Sequence, residues 1–200
     1  MTTSNFSSLT IGWMAIATGI VGILALVSII LFFTVGQPFG TINDICIGAA
    51  AIMSGVLAWM LTPQYHGQSP LLSQVALVVA MVGALVATVG SVLVIFGITG
   101  WYLAGLYMAV GNALIGLWLL GLNFSAQQGG LWSSGLAISG MVIGVIMILG
   151  FAASPGIFSR LDAWESAPWY INYVGFAGSL GWLVLYPLWC LWLGRVILFK

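Results

Sequence analysis

Residues 72–98 read LSQVALVVAMVGALVATVGSVLVIFGI and contain no charged side chain. Within this stretch, residues 75–82 are apolar without interruption. A strand of a membrane barrel would instead alternate apolar and polar residues over runs of about ten. A helix embedded in lipid tolerates an apolar surface on every side, and about 20 apolar residues carry it across a bilayer. The stretch therefore predicts a transmembrane helix.

The composition of the whole chain extends this prediction. Of 200 residues, 62% are apolar and 3% are charged, against about 45–50% and about 25% in an ordinary soluble domain. Three Lys/Arg and three Asp/Glu cannot supply the polar surface that a soluble protein of this length needs. We therefore expect an all-α integral membrane protein with enough apolar residues for about six spans.

Six hydrophobic segments form a single transmembrane domain over residues 1–200. Their approximate bounds are 10–35, 44–61, 72–98, 101–122, 131–153 and 170–199. Gly and Pro punctuate most of the breaks, as in GQPFG at 36–40. The break at 97–100 is short and apolar, but without it two segments would form one helix too long for a bilayer. The pattern predicts a six-helix bundle built from three consecutive helical hairpins.

Small residues recur at four-residue steps and indicate how these helices pack. Such faces are Gly83, Ala87 and Ser91 in the third segment, Gly140 and Gly144 in the fifth, and Ala177 and Gly181 in the sixth. In lipid, helices associate through close backbone approach, because little hydrophobic force acts between them. We expect these faces to pack within one bundle; packing between protomers is the alternative. Tyr186-Pro187 predicts a kink in the last helix.

Residues near 156–167 predict a short amphipathic helix that lies in the membrane interface. Ile157, Phe158, Leu161 and Trp164 recur on one helical face, and Arg160, Asp162 and Glu165 lie away from it. The structural interpretation is a loop that covers its own apolar residues. The functional interpretation is a docking surface or a lid over the bundle. We interpret the tryptophans near helix ends, such as Trp59, Trp118 and Trp192, as interfacial belts.

Two polar residues within the spans are further candidates, because intramembrane polar groups are costly and often functional. Asp44 opens the second predicted span, so we expect it to cap that helix, with ion binding as the alternative. Asn112 is the one amide well inside a predicted span. We expect it to form a hydrogen bond with a neighbouring helix, and a substrate contact is the alternative.

Few residues could carry catalysis or hold a cofactor. His66 is the only histidine, so neither a two-histidine haem nor a histidine zinc site can form within one chain. No phosphate-binding or dinucleotide motif occurs. Arg160, Asp162 and Glu165 are the one polar cluster that an active site could use. We expect no cofactor and no enzymatic activity, and the zero net charge argues against nucleic-acid binding.

These observations favour a non-catalytic structural or accessory membrane protein that packs against itself, lipids or partner subunits. A channel or carrier for a small neutral or apolar solute is the alternative, and a membrane enzyme is a second alternative. Arg195 and Lys200 lie at the C-terminal end, and Lys and Arg accumulate on the cytoplasmic side. We therefore expect both termini in the cytoplasm, in the plasma membrane of a bacterium.

Overall fold

The computed structural model describes residues 6–65 and 70–199, and every regular element in this part of the chain is helical. Six helices, α1 to α6, are long and apolar enough to cross a membrane. They are Ser8–Val35, Phe39–Tyr65, Pro70–Ile95, Trp101–Gly129, Ser134–Phe158 and Trp169–Leu198. The predicted six-helix bundle is confirmed, and residues 97–100 do separate α3 from α4. His66 and Lys200 lie outside the described residues.

The six helices form a closed ring. Each helix packs against the next one in the chain, and α6 returns to pack against α1. The α1–α2, α3–α4 and α5–α6 connections lie at one end of the bundle, which we call the Asp162 end. The start of α1 and the end of α6 lie at the opposite end, which we call the terminal end and where Gly12 of α1 is close to Leu198 of α6. The three hairpins are not separate units, because α2 packs along α3 as it does along α1.

Glycines lie where neighbouring backbones meet. Gly83 of α3 faces Gly111 of α4, and Gly116 of α4 faces Gly144 of α5. Two further pairs join α5 to α6 and α6 to α1: Gly150 with Gly178, and Gly194 with Gly12. A Cβ atom added at Gly83, Gly116 or Gly194 would lie 2.7–2.9 Å from the facing carbonyl oxygen. The small-residue faces therefore pack within the bundle.

The last two helices are irregular where they cross their neighbours. α5 tightens to a 3₁₀ segment over Leu149–Ala153 between α-helical stretches. α6 contains a π-helical turn, Gly181–Leu185, directly before Tyr186-Pro187. This turn accommodates the proline, which donates no backbone hydrogen bond. The residues of α6 before the turn pack along α5, and those after it pack along α1.

The terminal half of the bundle has a solid aromatic core. Tyr186 stacks between Trp182 and Trp189, with ring centroids 5.1 and 6.2 Å apart. Its hydroxyl donates a hydrogen bond of 2.9 Å to Ser54 Oγ. Trp118 is fully buried here, so its assignment to an interfacial belt is wrong. The reason is that α4 continues to Gly129, which places Trp118 in the interior of the helix rather than near its end.

The predicted amphipathic helix near 156–167 is also wrong as a continuous element. α5 ends at Phe158, and only a single 3₁₀ turn, Trp164–Ser166, follows. Arg160 adopts a positive φ of 51°, a left-handed conformation that a right-handed helix cannot contain. Asp162 holds the next residues extended, because its carboxylate is bound to the start of α4.

The glycine contacts lead to a matched pair of substitutions on α4. We expect Gly116→Ala to destabilise the protein by about 1–3 kcal/mol, because the new methyl group would overlap Met147 and the backbone of α5. At Gly121 a Cβ would be 3.8 Å from Ala76, an ordinary contact, so Gly121→Ala should stabilise by about 0.5–1 kcal/mol through helix propensity. Thermal unfolding in one detergent checks both. Equal melting temperatures for the two variants would contradict this packing.

Candidate functional site

A cavity of about 490 Å³ lies in the Asp162 half of the bundle, between α1, α2, α4 and α6. Its volume falls within the range of small-molecule sites, roughly 300–1,000 Å³. The walls are mostly apolar and aromatic, including Leu106, Met108 and Trp182. The cavity extends from Trp101 at the start of α4 down to Asn112. It is the hollow counterpart of the solid core in the terminal half.

Two glycines keep this space open. Gly105 of α4 and Gly175 of α6 line the cavity, and a Cβ atom added at either would meet nothing within 4 Å. They differ from the paired glycines of the helix contacts, whose missing side chains let backbones touch. At Gly105 and Gly175 the missing side chain instead contributes empty volume. Any larger residue at these two positions would project into the cavity.

The course of α6 creates the mouth of the cavity. Up to Leu180 this helix lies along α5, and from the π-helical turn onward it contacts α1. We infer that the cavity opens in the space that this leaves between α1 and α6, toward the Asp162 end. The exposed residues of its lining are Phe33 of α1, Phe176 of α6, and Trp101 and Trp164 at the Asp162 end. Since these outward-facing side chains are apolar, the opening lies on a surface that lipid can cover.

Asp44 contributes a carboxylate to the cavity wall. The residue is only 8% exposed, and it also borders a side cavity of about 110 Å³ next to Gln37. The expected helix cap is wrong, because α2 begins at Phe39 and Asp44 lies beyond its first turn. Neighbouring Asn43 is occupied, since its Nδ2 donates to the carbonyl oxygen of Ala25 at 2.9 Å. Across residues 6–65 and 70–199, no donor or cation pairs with the Asp44 carboxylate.

Asn112 lies at the inner end of the cavity. It is 5% exposed, and its Oδ1 has no hydrogen-bond partner among the described residues. The expected hydrogen bond to a neighbouring helix is therefore not formed by this oxygen. Buried amide groups are costly when unpaired. The cavity thus has one unpaired carboxylate on α2 and one unpaired amide oxygen on α4.

The α5–α6 loop is bound to the N-terminal end of α4. Asp162 accepts hydrogen bonds from the backbone N–H of Gly100 at 2.9 Å and of Leu103 at 3.0 Å. This satisfies free donors at the N-terminus of α4 and places a negative charge at the positive end of its dipole. Trp164 contacts the ring of Tyr102 edge-on, with centroids 6.2 Å apart. The loop residue Trp164 thereby becomes part of the cavity wall.

A second polar contact joins this loop to α4 and α6. The hydroxyl of Tyr102 donates to Asn172 Oδ1 at 2.6 Å, and Asn172 Nδ2 donates to the carbonyl oxygen of Trp164 at 3.1 Å. Tyr102 and Asn172 both line the cavity and are buried. Their polar atoms are satisfied by each other, so they shape the wall and leave Asp44 and Asn112 as its unpaired groups.

The candidate residues taken from the sequence are only partly brought together. Asp44, Asn112 and Trp164 line the cavity, and Asp162 anchors the loop beside it. Arg160 and Glu165 are exposed and do not line it. The sequence did not identify Tyr102, Asn172, Gly105 and Gly175 as cavity residues, and the two glycines were expected to pack against neighbouring helices, because a residue in an apolar run does not show what it faces.

No protein-family model, curated protein or solved structure matches this chain. In the part of the chain that the structure describes, no three His, Cys, Asp or Glu residues lie close enough together to hold a metal ion.

The loop anchor gives a testable prediction. Asp162→Ala removes the charged acceptor for two backbone donors, which costs about 1 kcal/mol. We expect amide hydrogen exchange at Gly100 and Leu103 to accelerate about fivefold. Glu165→Ala is the matched control, because Glu165 is an exposed carboxylate in the same loop and makes no hydrogen bond within the described residues. Equal exchange rates in the two variants would show that the Asp162 contact does not hold the loop.

Proposed function

We propose that this chain is a non-catalytic integral membrane protein that binds a small, mainly apolar molecule taken up from the bilayer. The observation that carries the proposal is the cavity of about 490 Å³, with its mouth between the apolar faces of α1 and α6. Protein interiors are close-packed, and voids of this size are few in any domain. Its unpaired Asp44 and Asn112 supply the few polar groups that orient a ligand in such a site.

The cavity wall favours binding over catalysis. A nucleophile requires an adjacent base, and general acid–base chemistry requires a group that can exchange a proton at the substrate. The wall has one serine, Ser179, and its hydroxyl donates to the carbonyl oxygen of Gly175 at 3.2 Å. Asp44 is the one carboxyl group among the described lining residues, the hydroxyl of Tyr102 is bonded to Asn172, and no lysine, arginine or histidine is among them, so no second proton-exchanging group pairs with Asp44. A site with this chemistry holds a molecule more readily than it transforms one.

The solid terminal half favours a blind pocket over a pore. Trp118, Tyr186 and Trp189 fill the bundle below the cavity, each 1% exposed or less. A continuous channel would have to pass through these side chains. The same aromatic core forms the floor of the cavity, because Trp182 belongs both to the stack and to the cavity wall.

A carrier for a small neutral or apolar solute is the second candidate. The observation that favours it is the depth of the cavity, which reaches Asn112. At 1.5 Å per residue, this position is about 16 Å along α4 from Trp101. Transport would require the terminal half to open, so solute flux across liposomes distinguishes a carrier from a binding protein.

The outer faces of the helices are suited to a membrane. Large apolar side chains such as Val78, Leu85 and Val142 are exposed on the outer faces, where they suit lipid, a second copy of the chain or another membrane subunit. We also propose that the termini lie in the cytoplasm of a bacterium, with the helices in its plasma membrane. Arg195 at the terminal end supports this orientation.

A cavity-filling substitution tests the proposal. Gly175→Leu adds a side chain where a Cβ has open space, so the fold should keep its stability while the cavity loses volume. We expect the affinity for para-(trifluoromethyl)benzyl alcohol in lipid nanodiscs, measured by fluorine NMR, to fall at least about tenfold, equivalent to 1.4 kcal/mol. Empty nanodiscs give the signal from partition into lipid.

Gly135→Leu is the matched control for this experiment. Gly135 is an exposed glycine outside the cavity, and a Cβ there would meet only Trp192, at 3.7 Å. Its affinity for the alcohol should equal that of the unmodified protein. If Gly175→Leu and Gly135→Leu bind the alcohol equally well, the cavity is not the binding site.

A further inference from the structure

The carboxylate of Asp44 lacks a counter-charge. The residue is more than nine-tenths buried, and it lies between the main cavity and the side cavity. Space on both sides explains why no donor from the described part of the chain reaches its oxygens. Around it, Ile29, Ile47 and Trp101 are apolar or aromatic, and the polar neighbours Asn43 and Gln37 carry no charge. A charged group in such surroundings is expensive unless it is paired.

Within residues 6–65 and 70–199, no cationic side chain pairs with this carboxylate. The residues that line the main cavity and the side cavity include no lysine, arginine or histidine. Arg160, the basic residue of the α5–α6 loop, is exposed and lines neither cavity. A positive charge that balances Asp44 would therefore come with a ligand rather than from the described part of the chain. An anionic ligand is disfavoured for the same reason, because it would add a second uncompensated negative charge.

The walls also select between kinds of cation. A bare metal ion needs several oxygen ligands, six to eight for calcium and near-octahedral six for magnesium, and the cavity provides one carboxylate. An ammonium group needs fewer partners, and the faces of aromatic rings attract it. Trp101, Tyr102 and Trp182 supply such rings around the cavity. The remaining apolar wall suits a hydrocarbon or aromatic body attached to that ammonium group.

We infer that the cavity takes an amphipathic amine, whose ammonium group pairs with Asp44 and whose apolar body extends toward Asn112. This inference rests on the proposed function, because it presumes that the cavity holds a ligand. The unpaired Oδ1 of Asn112 then accepts a hydrogen bond from any donor at the far end of the ligand. Such a molecule enters through the opening between α1 and α6 from the interfacial layer, where amphipathic amines accumulate.

The test compares two probes of the same shape, para-(trifluoromethyl)benzylamine and para-(trifluoromethyl)benzyl alcohol, at neutral pH in nanodiscs. Their affinities are measured by fluorine NMR for the unmodified protein and for Asp44→Asn, which keeps the size of the side chain and removes its charge. We expect the amine to bind the unmodified protein about ten- to hundredfold more tightly than the alcohol. Asp44→Asn should abolish that difference and change the affinity for the alcohol less than about threefold.

The outcomes separate this inference from the proposed function. Equal binding of amine and alcohol, unchanged in Asp44→Asn, would overturn the amine inference and leave the cavity as a site for neutral molecules. Failure of Gly175→Leu to weaken either probe would overturn both. If Asp44→Asn does not fold, para-(trifluoromethyl)benzoate replaces the variant: the unmodified protein should then bind amine most tightly, alcohol next and benzoate least. Any other order contradicts the pairing with Asp44.

Discussion

Backbone contact at glycine holds this bundle together, and the other features of the structure depend on where that contact is made and where it is absent. Between helices in lipid there is little hydrophobic force, so association requires van der Waals packing at short range. The pairs Gly83 with Gly111, Gly116 with Gly144, and Gly12 with Gly194 provide it between α3 and α4, between α4 and α5, and between α6 and α1. Because the ring closes through α6 and α1, the position at which α6 changes neighbour decides which part of the interior is filled. The π-helical turn Gly181–Leu185 marks that position.

On one side of the turn the interior is solid, and on the other it is hollow. Below the turn, Tyr186 and Trp189 fill the space between the helices, and their polar atoms are bonded to Ser54 and to the carbonyl oxygen of Leu136. Above the turn, α6 has moved away from α1, and glycines face the empty space that remains. The unpaired polar groups of the cavity, on Asp44 and Asn112, lie in this hollow half.

Hydrophobic runs predicted the number and positions of the helices, because each span needs its own apolar surface and therefore appears in the sequence as a long apolar stretch. Small-residue spacing predicted the packing faces for the same local reason. The start of α2 was missed because Phe39 to Asn43 look like part of a loop, and that error made Asp44 a cap instead of a cavity residue. The loop near Asp162 was predicted to be helical because its contact with Gly100 joins residues 62 positions apart, which periodicity cannot register. The sequence does not distinguish the glycines that line the cavity from those at the helix contacts, because they differ only in what they face.

The central claim is that the Asp162 half of the bundle is hollow and open between α1 and α6. A single-particle density map of the protein in lipid nanodiscs tests it most directly. We expect a gap between Phe33 and Phe176, with density from a non-protein molecule beside Asp44 and between Gly105 and Gly175. Close contact of α1 with α6 along their whole length, with side chains filling the space around Asp44, would contradict it.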